Sequence, residues 1–278
     1  MSTAQQQKAD VFKKLHEGDR IFVIPNPWDA GSAKILTALG FEALTTTSAG
    51  LAYSLGRPDG EGRVTRNETL DNARAIVDAT SLPVSADLEN GFGDDPEDCA
   101  KTIIMAADAG LVGGSIEDST GKAVDPIYPF DLSLARVKAA VAAARSLPFP
   151  FMLSARAENL IHGKIDLKDT IRRLVAYADA GADVLFAPGL NSAADIKTVV
   201  NAVAPKAVNV VMGLGSFKLT LQELADLGVR RVSLGSSLAR EAYGAFYHAA
   251  EVIARQQIFS FSNGALSYAD LNVIFTKP

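Results

Sequence analysis

Sulfur is scarce: the chain's 278 residues include one cysteine, Cys99, and four methionines. A single thiol excludes an intrachain disulfide and any cysteine-built metal cluster, and it suits a reducing, cytoplasmic setting. Long apolar runs are also missing. No stretch approaches the roughly 18 residues of a membrane span. The opening segment, Met1–Asp19, is polar and charged, with no apolar centre of the kind a secretory leader needs. There is no basic excess either. Lys and Arg number 27 against 32 Asp and Glu, for a net charge of −5. A nucleic-acid or anionic-membrane surface needs clustered cations, so neither partner is expected.

What is present is ordinary globular material, 48% hydrophobic and 21% charged. Its dominant pattern is alternation of short apolar runs with helical-period segments. Eight runs qualify as strands: 21–25, 43–47, 83–87, 111–117, 151–155, 183–187, 208–212 and 231–234. None alternates cleanly, as expected of strands buried on both faces. Amphipathic patterns lie between them, over 30–39, 66–80, 96–109, 132–146, 167–180, 193–203, 220–227 and 237–254. Gly40, Gly110, Gly181 and Gly228 follow four of these patterns at the position of a helix C-cap, and Pro96 suits a first helical turn. Eight β–α units without a composition break predict one α/β domain over 1–278, a (β/α)8 barrel of the TIM type over about 20–256. A doubly wound sheet is the alternative. Its usual mark is a Gly-rich turn after the first strand, whereas this chain continues Pro25-Asn26-Pro27-Trp28. Residues 4–18 predict an extra N-terminal helix. The tail, 257–278, carries a helix start at Ser267 and is expected to pack on a partner subunit or the barrel base.

Catalytic groups of such barrels project from the C-terminal strand ends. Here those ends read Thr47-Ser48-Ala49-Gly50, then Asp87-Leu88-Glu89, Glu117-Asp118 and Arg156-Ala157-Glu158. Asp87, Glu89 and Glu117 would lie in the mouths of adjacent strands. Three carboxylates there repel one another unless a cation joins them, and all-oxygen ligands favour a hard ion such as Mg²⁺. Helix caps and solvated loop charges are the plainer reading of each acid alone. Arg156 is suited to a substrate carboxylate or phosphonate; a salt bridge to Glu158 or Glu117 is the plainer and compatible reading. Ser48, Ala49 and Gly50 offer a hydroxyl and backbone N–H groups for an anion or enolate oxygen, or simply tight packing. His162, six residues past Arg156, can reach the same mouth as a proton donor, whereas His16 and His248 fall on helices and read as structural. Gly213-Leu214-Gly215-Ser216 and Gly235-Ser236-Ser237 follow the last two strands, where barrels often bind phosphate, but Gly-rich turns also arise for steric reasons.

These stretches together resemble the phosphoenolpyruvate mutase/isocitrate lyase superfamily from about Phe22 to Ala254. The resemblance is carried by Gly40-Phe41-Glu42-Ala43, Thr47–Gly50, SLGRPD at 54–59, LPVSADLENGFG at 82–93, GGSIEDS at 113–119 and LSARAE at 153–158. It implies that Asp87 and Glu117 hold Mg²⁺ (or Mn²⁺), with Glu89 at a second acid position that is usually Asp. It also implies that Asp59 lies near the metal as a further catalytic acid. Ser48 and Gly50 would hold the substrate's carboxylate and oxo oxygen, with Arg156, beside Glu158, on its anionic end. A homo-oligomer, dimer or tetramer, with its last helix packed on the partner is implied too. The sequence departs from the isocitrate and methylisocitrate lyases in one loop. Those enzymes resemble one another in a Lys-(Lys/Arg)-Cys-Gly-His motif, and here residues 119–126 read STGKAVDP. Lys122 is the basic group of that loop, either a mobile catalytic partner or a solvent-exposed lysine. After strand six the chain has Ala187-Pro188-Gly189 where those lyases carry a Glu.

The expected activity is cleavage or formation of the bond to C3 of a small 2-oxo acid, such as oxaloacetate or phosphonopyruvate, through a pyruvate enolate. Two alternatives stand: a catalytically inert metabolite-binding barrel, and a methylisocitrate-type lyase using an acid other than cysteine.

Overall fold

The structure is a computed structural model and describes residues 3–213, 215, 218–260 and 264–276. In chain order the N-terminal half is α1 (Thr3–Glu17), β1 (Phe22–Ile24), α2 (Ala30–Ala38), β2 (Leu44–Thr45), α3 (Ser48–Ser54), α4 (Arg66–Asp78), β3 (Val84–Asp87), α5 (Pro96–Asp108), β4 (Gly113–Glu117) and α6 (Phe130–Ser146). The remainder is β5 (Met152–Arg156), α7 (Leu167–Asp179), β6 (Val184–Phe186), α8 (Ala193–Val203), β7 (Ala207–Val211), α9 (Leu221–Asp226), β8 (Arg231–Ser233), α10 (Ser237–Gln256) and α11 (Tyr268–Thr276).

Each predicted strand and helix is present. The eight strands are all parallel, in the order β1-β8-β7-β6-β5-β4-β3-β2, which curls β1 round to meet β2. That last seam is not a ladder. It is closed by Thr45 N–H donating to Pro25 O at 3.1 Å and by the buried Asn26. Asn26 Nδ2 donates to Thr46 O at 3.0 Å, while its Oδ1 accepts from Leu234 N–H at 2.9 Å. One amide thereby ties the ends of β1, β2 and β8. The result is a nearly closed (β/α)8 barrel.

The helices begin where side-chain oxygens can take up free N–H groups. Thr65 with Glu68 and Thr220 with Glu223 form reciprocal capping boxes, and Asp166 and Ser192 cap α7 and α8. The glycines predicted to end helices, Gly40, Gly110, Gly181 and Gly228, have φ of 84°, 92°, 104° and 91°, the left-handed region that glycine enters without steric cost. α1 closes the barrel's lower end, with Phe12 fully buried. A Cβ at Gly113 would stand 2.8 Å from the Phe12 ring, so the missing side chain is what lets α1 dock there.

One expectation needs correction. Ser48, Ala49 and Gly50 do not form an open turn; they are the first turn of α3, capped by Thr47 Oγ1, which accepts from Gly50 N–H at 3.2 Å. The pattern was hidden because α3 has only seven residues and replaces a loop. Within the chain, α11 of the tail meets α2, and Lys34 Nζ donates to Phe275 O at 3.1 Å. Nothing in α11 is buried. Leu214 and Ser216 of the proposed phosphate turn lie outside the described residues.

Because Asn26 satisfies three strand ends, Asn26→Ala should lower the unfolding free energy by about 1–3 kcal/mol, the range for stranding buried donors and acceptors. A urea midpoint shift at unchanged slope checks this; an unchanged midpoint would show that the seam closes without it.

Candidate active site

Strands β3, β4 and β5 end side by side, and in-register pairing sets Asp87 beside Ser115 and Glu117 beside Arg156. Residues two apart on a strand share a face, so Asp87, Glu117 and Arg156 all turn into the barrel mouth. Arg156 is the centre of the group. Its Nη1 donates to Asp87 Oδ1 at 3.0 Å, its Nη2 lies 3.2 Å from Glu117 Oε2, and its Nε donates to Glu158 Oε1 at 2.8 Å. Burial opposes the guanidinium charge, but Glu158, Glu117 and Asp87 outweigh it and hold the Arg156 pKa well above its usual range.

Asp87 is fixed from its other side as well. Ser48 Oγ donates to Asp87 Oδ2 at 2.9 Å, and Asp87 N–H donates to Thr46 Oγ1 at 3.0 Å. Glu89 follows with φ of 48°, an unusual backbone state for a residue with a side chain. Its loop is gripped from outside by two arginines. Arg136 donates to Gly93 O at 2.8 Å and to the carbonyls of Asn90 and Asp94, while Arg66 donates to Gly91 O at 3.0 Å. Asp59 reaches the mouth from the loop after α3. Ser48, Asp59, Glu89, Glu117, Arg156, Glu158 and His162 line one cavity of about 620 Å³.

The carboxylates crowd one another. Burial, then Asp87 and Asp59, pushes Glu89 up to about 7. Asp59 is raised by burial and then by Asp87. Glu117 and Glu158 are also raised, chiefly by burial. Among the described residues, no three His, Cys, Asp or Glu side chains form a ready-made metal cage, because Asp87 and Glu117 are turned onto Arg156. The donor chemistry nevertheless fits a divalent cation. Asp59, Asp87, Glu89, Glu117 and Glu158 face a single central guanidinium, and all the donors are oxygens, the ligand type of Mg²⁺.

Other candidates fall into place. Glu158 is 1% exposed and bonded to Arg156, so it positions the arginine rather than meeting solvent. Gly50 N–H is spent on the α3 cap, which leaves Ser48 Oγ as the mobile donor of that turn. Lys122 lies on the cavity rim and is paired with Asp94 at 2.9 Å. His162 Nε2 lies 3.3 Å from Ser119 Oγ. Cys99 is buried, with its thiol pushed up to about 11 by burial, so it is no acid–base group for the mouth.

Asp118 is a residue whose importance the sequence did not signal. It is 2% exposed, and accepts from Glu158 N–H at 2.8 Å, Arg173 Nη1 at 3.0 Å and Tyr177 OH at 2.9 Å. It thereby locks the strand end that carries Arg156 and Glu158 onto α7. Its partners lie 40–59 positions away, beyond the reach of any local pattern.

A parallel eight-stranded barrel with an acid-rich mouth at its C-terminal face defines a class of enzyme-like barrels, and the sequence assigns the branch. Residues 12–254 match the phosphoenolpyruvate phosphomutase family, and the chain belongs to it. It is similar to a crystal structure called a "putative lyase/mutase from Burkholderia cenocepacia J2315", with 55% identity and a TM-score of 0.96 over 100% of this chain and 98% of that one. It is 32% identical to the "Probable 2-methylisocitrate lyase 2" of Corynebacterium glutamicum, over 80% of this chain and 72% of the relative. It is also similar to phosphonopyruvate hydrolase in complex with oxalate and Mg²⁺, at 25% identity and a TM-score of 0.84 over 96% and 94% of the two chains. The superfamily resemblance read from the motifs is therefore correct.

The Glu89 shift gives a signed pH dependence. Its folded pKa, about 7, lies above the ordinary 4.5, so between those values the folded protein holds a proton that the unfolded chain releases. Without divalent metal, stability should fall as pH rises through that window, by at most about 1.4 kcal/mol per unit and by less after solvent screening. Glu89→Gln should flatten the slope; equal slopes in wild type and variant, measured by urea unfolding in chelator, would contradict the assignment.

Proposed function

We propose that this protein is a Mg²⁺-dependent lyase or mutase that breaks or makes the bond to C3 of a small 2-oxo acid, a C–C or P–C bond, through a pyruvate enolate. The observation that carries the reading is the excess of carboxylates round Arg156 in one solvent-accessible mouth. Oxaloacetate and phosphonopyruvate are the substrate types it fits. When bound, Mg²⁺ (or Mn²⁺) would supply Lewis-acid stabilisation of the charge that develops on the oxo oxygen.

The chain's own residues do the rest. Asp87 and Glu117, with Glu89 and Asp59 beside them, would hold the ion directly or through water. Arg156 binds the substrate's carboxylate through its planar fork of donors, kept at the right angle by Glu158. Ser48 Oγ, which now donates to Asp87, can turn its hydrogen to the substrate's carboxylate or oxo oxygen beside Ala49 and Gly50. Lys122 closes the rim through its link to Asp94. Ser119 and His162 line one side of the cavity, which would receive the departing group. No protein nucleophile is required, which suits a mouth without an accessible cysteine. The same absence argues against methylisocitrate-type chemistry, despite the sequence similarity to such lyases.

The reading includes cytoplasmic homo-oligomers. Phe246, Tyr247, Phe259 and Tyr268 on α10 and the tail are 71%, 59%, 73% and 87% exposed, an apolar surface of the kind that partner subunits cover.

Wild-type protein with Mg²⁺ should release pyruvate from oxaloacetate or phosphonopyruvate, and Asp87→Ala should lose at least about 100-fold in kcat/KM. Arg156→Lys should raise KM and lower kcat together, since a lysine cannot reproduce the fork. Metal-independent turnover, or full activity of Asp87→Ala, would overturn the mechanism. Saturable oxalate binding without turnover of any 2-oxo acid would instead favour an inert binding barrel.

A further inference from the structure

Barrel interiors of this architecture are usually filled by branched aliphatic side chains. Here the layer beneath the mouth is polar: Ser85, Ser115, Ser154, Asn209, Arg231 and Ser233 line a chamber of about 210 Å³ that opens upward to Asp87 and Arg156. Arg231 is the anomaly. It is 5% exposed and, unlike Arg156, pairs with no carboxylate among the described residues. Its contacts are neutral: Nε donates to Asn209 Oδ1 at 2.8 Å, Nη2 to Ser154 Oγ at 2.8 Å, and Nη1 lies 3.3 Å from His16 Nε2. His16 Nδ1 sits 2.8 Å from Phe12 O, where it must donate, so Nε2 is left as the acceptor for Arg231 and the imidazole is neutral. Burial, then Arg231, drives its pKa down to about 3.

A guanidinium carries five N–H donors, and three are used. Neutral acceptors can satisfy N–H groups, but they do not cancel the charge. Burial draws the Arg231 pKa down to about 9 with no acid to offset it. Buried cations are normally matched by an anion, and this one borders a polar cavity rather than packed hydrocarbon.

We propose that the chamber is a binding site for a small monovalent anion, of halide or formate size, held by Arg231 together with Ser154, Asn209 and Ser233. The volume admits a small ion together with waters that solvate it. Single charge follows from Asp87 at the chamber's upper edge, whose carboxylate is already matched by Arg156 and would repel a dianion. The chamber is continuous with the mouth above, since Ser48, Asp59, Asp87 and Arg156 line its upper end, but the groups that would hold the anion lie below them and take no part in the reaction proposed there.

The test uses the full-length protein and bromide as probe. At constant ionic strength, exchanging sodium gluconate, a bulky and strongly hydrated anion, for sodium bromide should raise the wild-type thermal midpoint saturably, by about 2–8 °C near saturation. Arg231→Met should lose the response. Ser154→Ala keeps the cation and should weaken half-saturation by about tenfold, so the test survives if Arg231→Met fails to fold. Crystals grown in bromide should show an anomalous peak against Arg231. Displacement of that peak by oxalate would assign the anion to a ligand's own carboxylate; indifference to oxalate would assign it to a free ion. Ordered water alone at Arg231, or a bromide response equal to that of gluconate, would overturn the proposal.

Discussion

Arg156 is the residue round which the mouth is organised. Asp87, Glu117 and Glu158 each approach within 3.2 Å of its guanidinium, from three different directions. Without it, buried carboxylates would face one another across a space that burial has already made unfavourable for charge. Much of the surrounding structure holds this arrangement. Thr46 and Ser48 fix Asp87, while Asp118, Arg173 and Tyr177 fasten the end of β5 to α7. The bonds to Arg156 also orient the acids, so on the proposed reading a divalent ion would have to compete with the guanidinium for Asp87 and Glu117. A substrate carboxylate arriving with the ion would resolve that competition, because it would take up the Arg156 donors that the two acids release.

A second arginine lies lower in the same barrel in the opposite environment. Arg156 has more negative charge round it than it can match, and Arg231 pairs with no carboxylate among the described residues. Small polar residues at Ser85, Ser115, Ser154 and Ser233 separate the two levels. Serine in place of valine or leucine on an inward-facing strand position gives up apolar burial and leaves volume unfilled. The interior of this barrel is thus mixed: Phe22, Ile24, Val184 and Phe186 share the inward face with the serines, Asn209 and Arg231.

Membership of the phosphoenolpyruvate phosphomutase family narrows the chemistry without choosing the bond. In this chain the loop after β4 is pinned by Thr120 N–H donating to Pro126 O at 2.8 Å and by the Lys122–Asp94 pair. It presents hydroxyls, a lysine and the nearby His162, with no thiol. A fold supplies a scaffold, and the side chains on such loops decide which leaving group is accepted.

The sequence by itself determined the number and order of the β–α units, since apolar runs, capping residues and terminal glycines are local signals that each segment carries. It also pointed to the strand ends that form the mouth, because catalytic groups of a barrel gather at its C-terminal face, while alternation along each strand sends a residue such as Asp118 outward to α7. Tertiary structure decided how those residues share charge: that Asp87 and Glu117 turn to Arg156, that Glu158 is buried beneath it, and that Gly50 N–H serves a helix cap. It alone revealed Asp118 and Arg231, whose meaning rests on partners far off in the chain or on the lack of one. Electrostatic roles depend on distance and burial in three dimensions, and neither quantity is written in residue order.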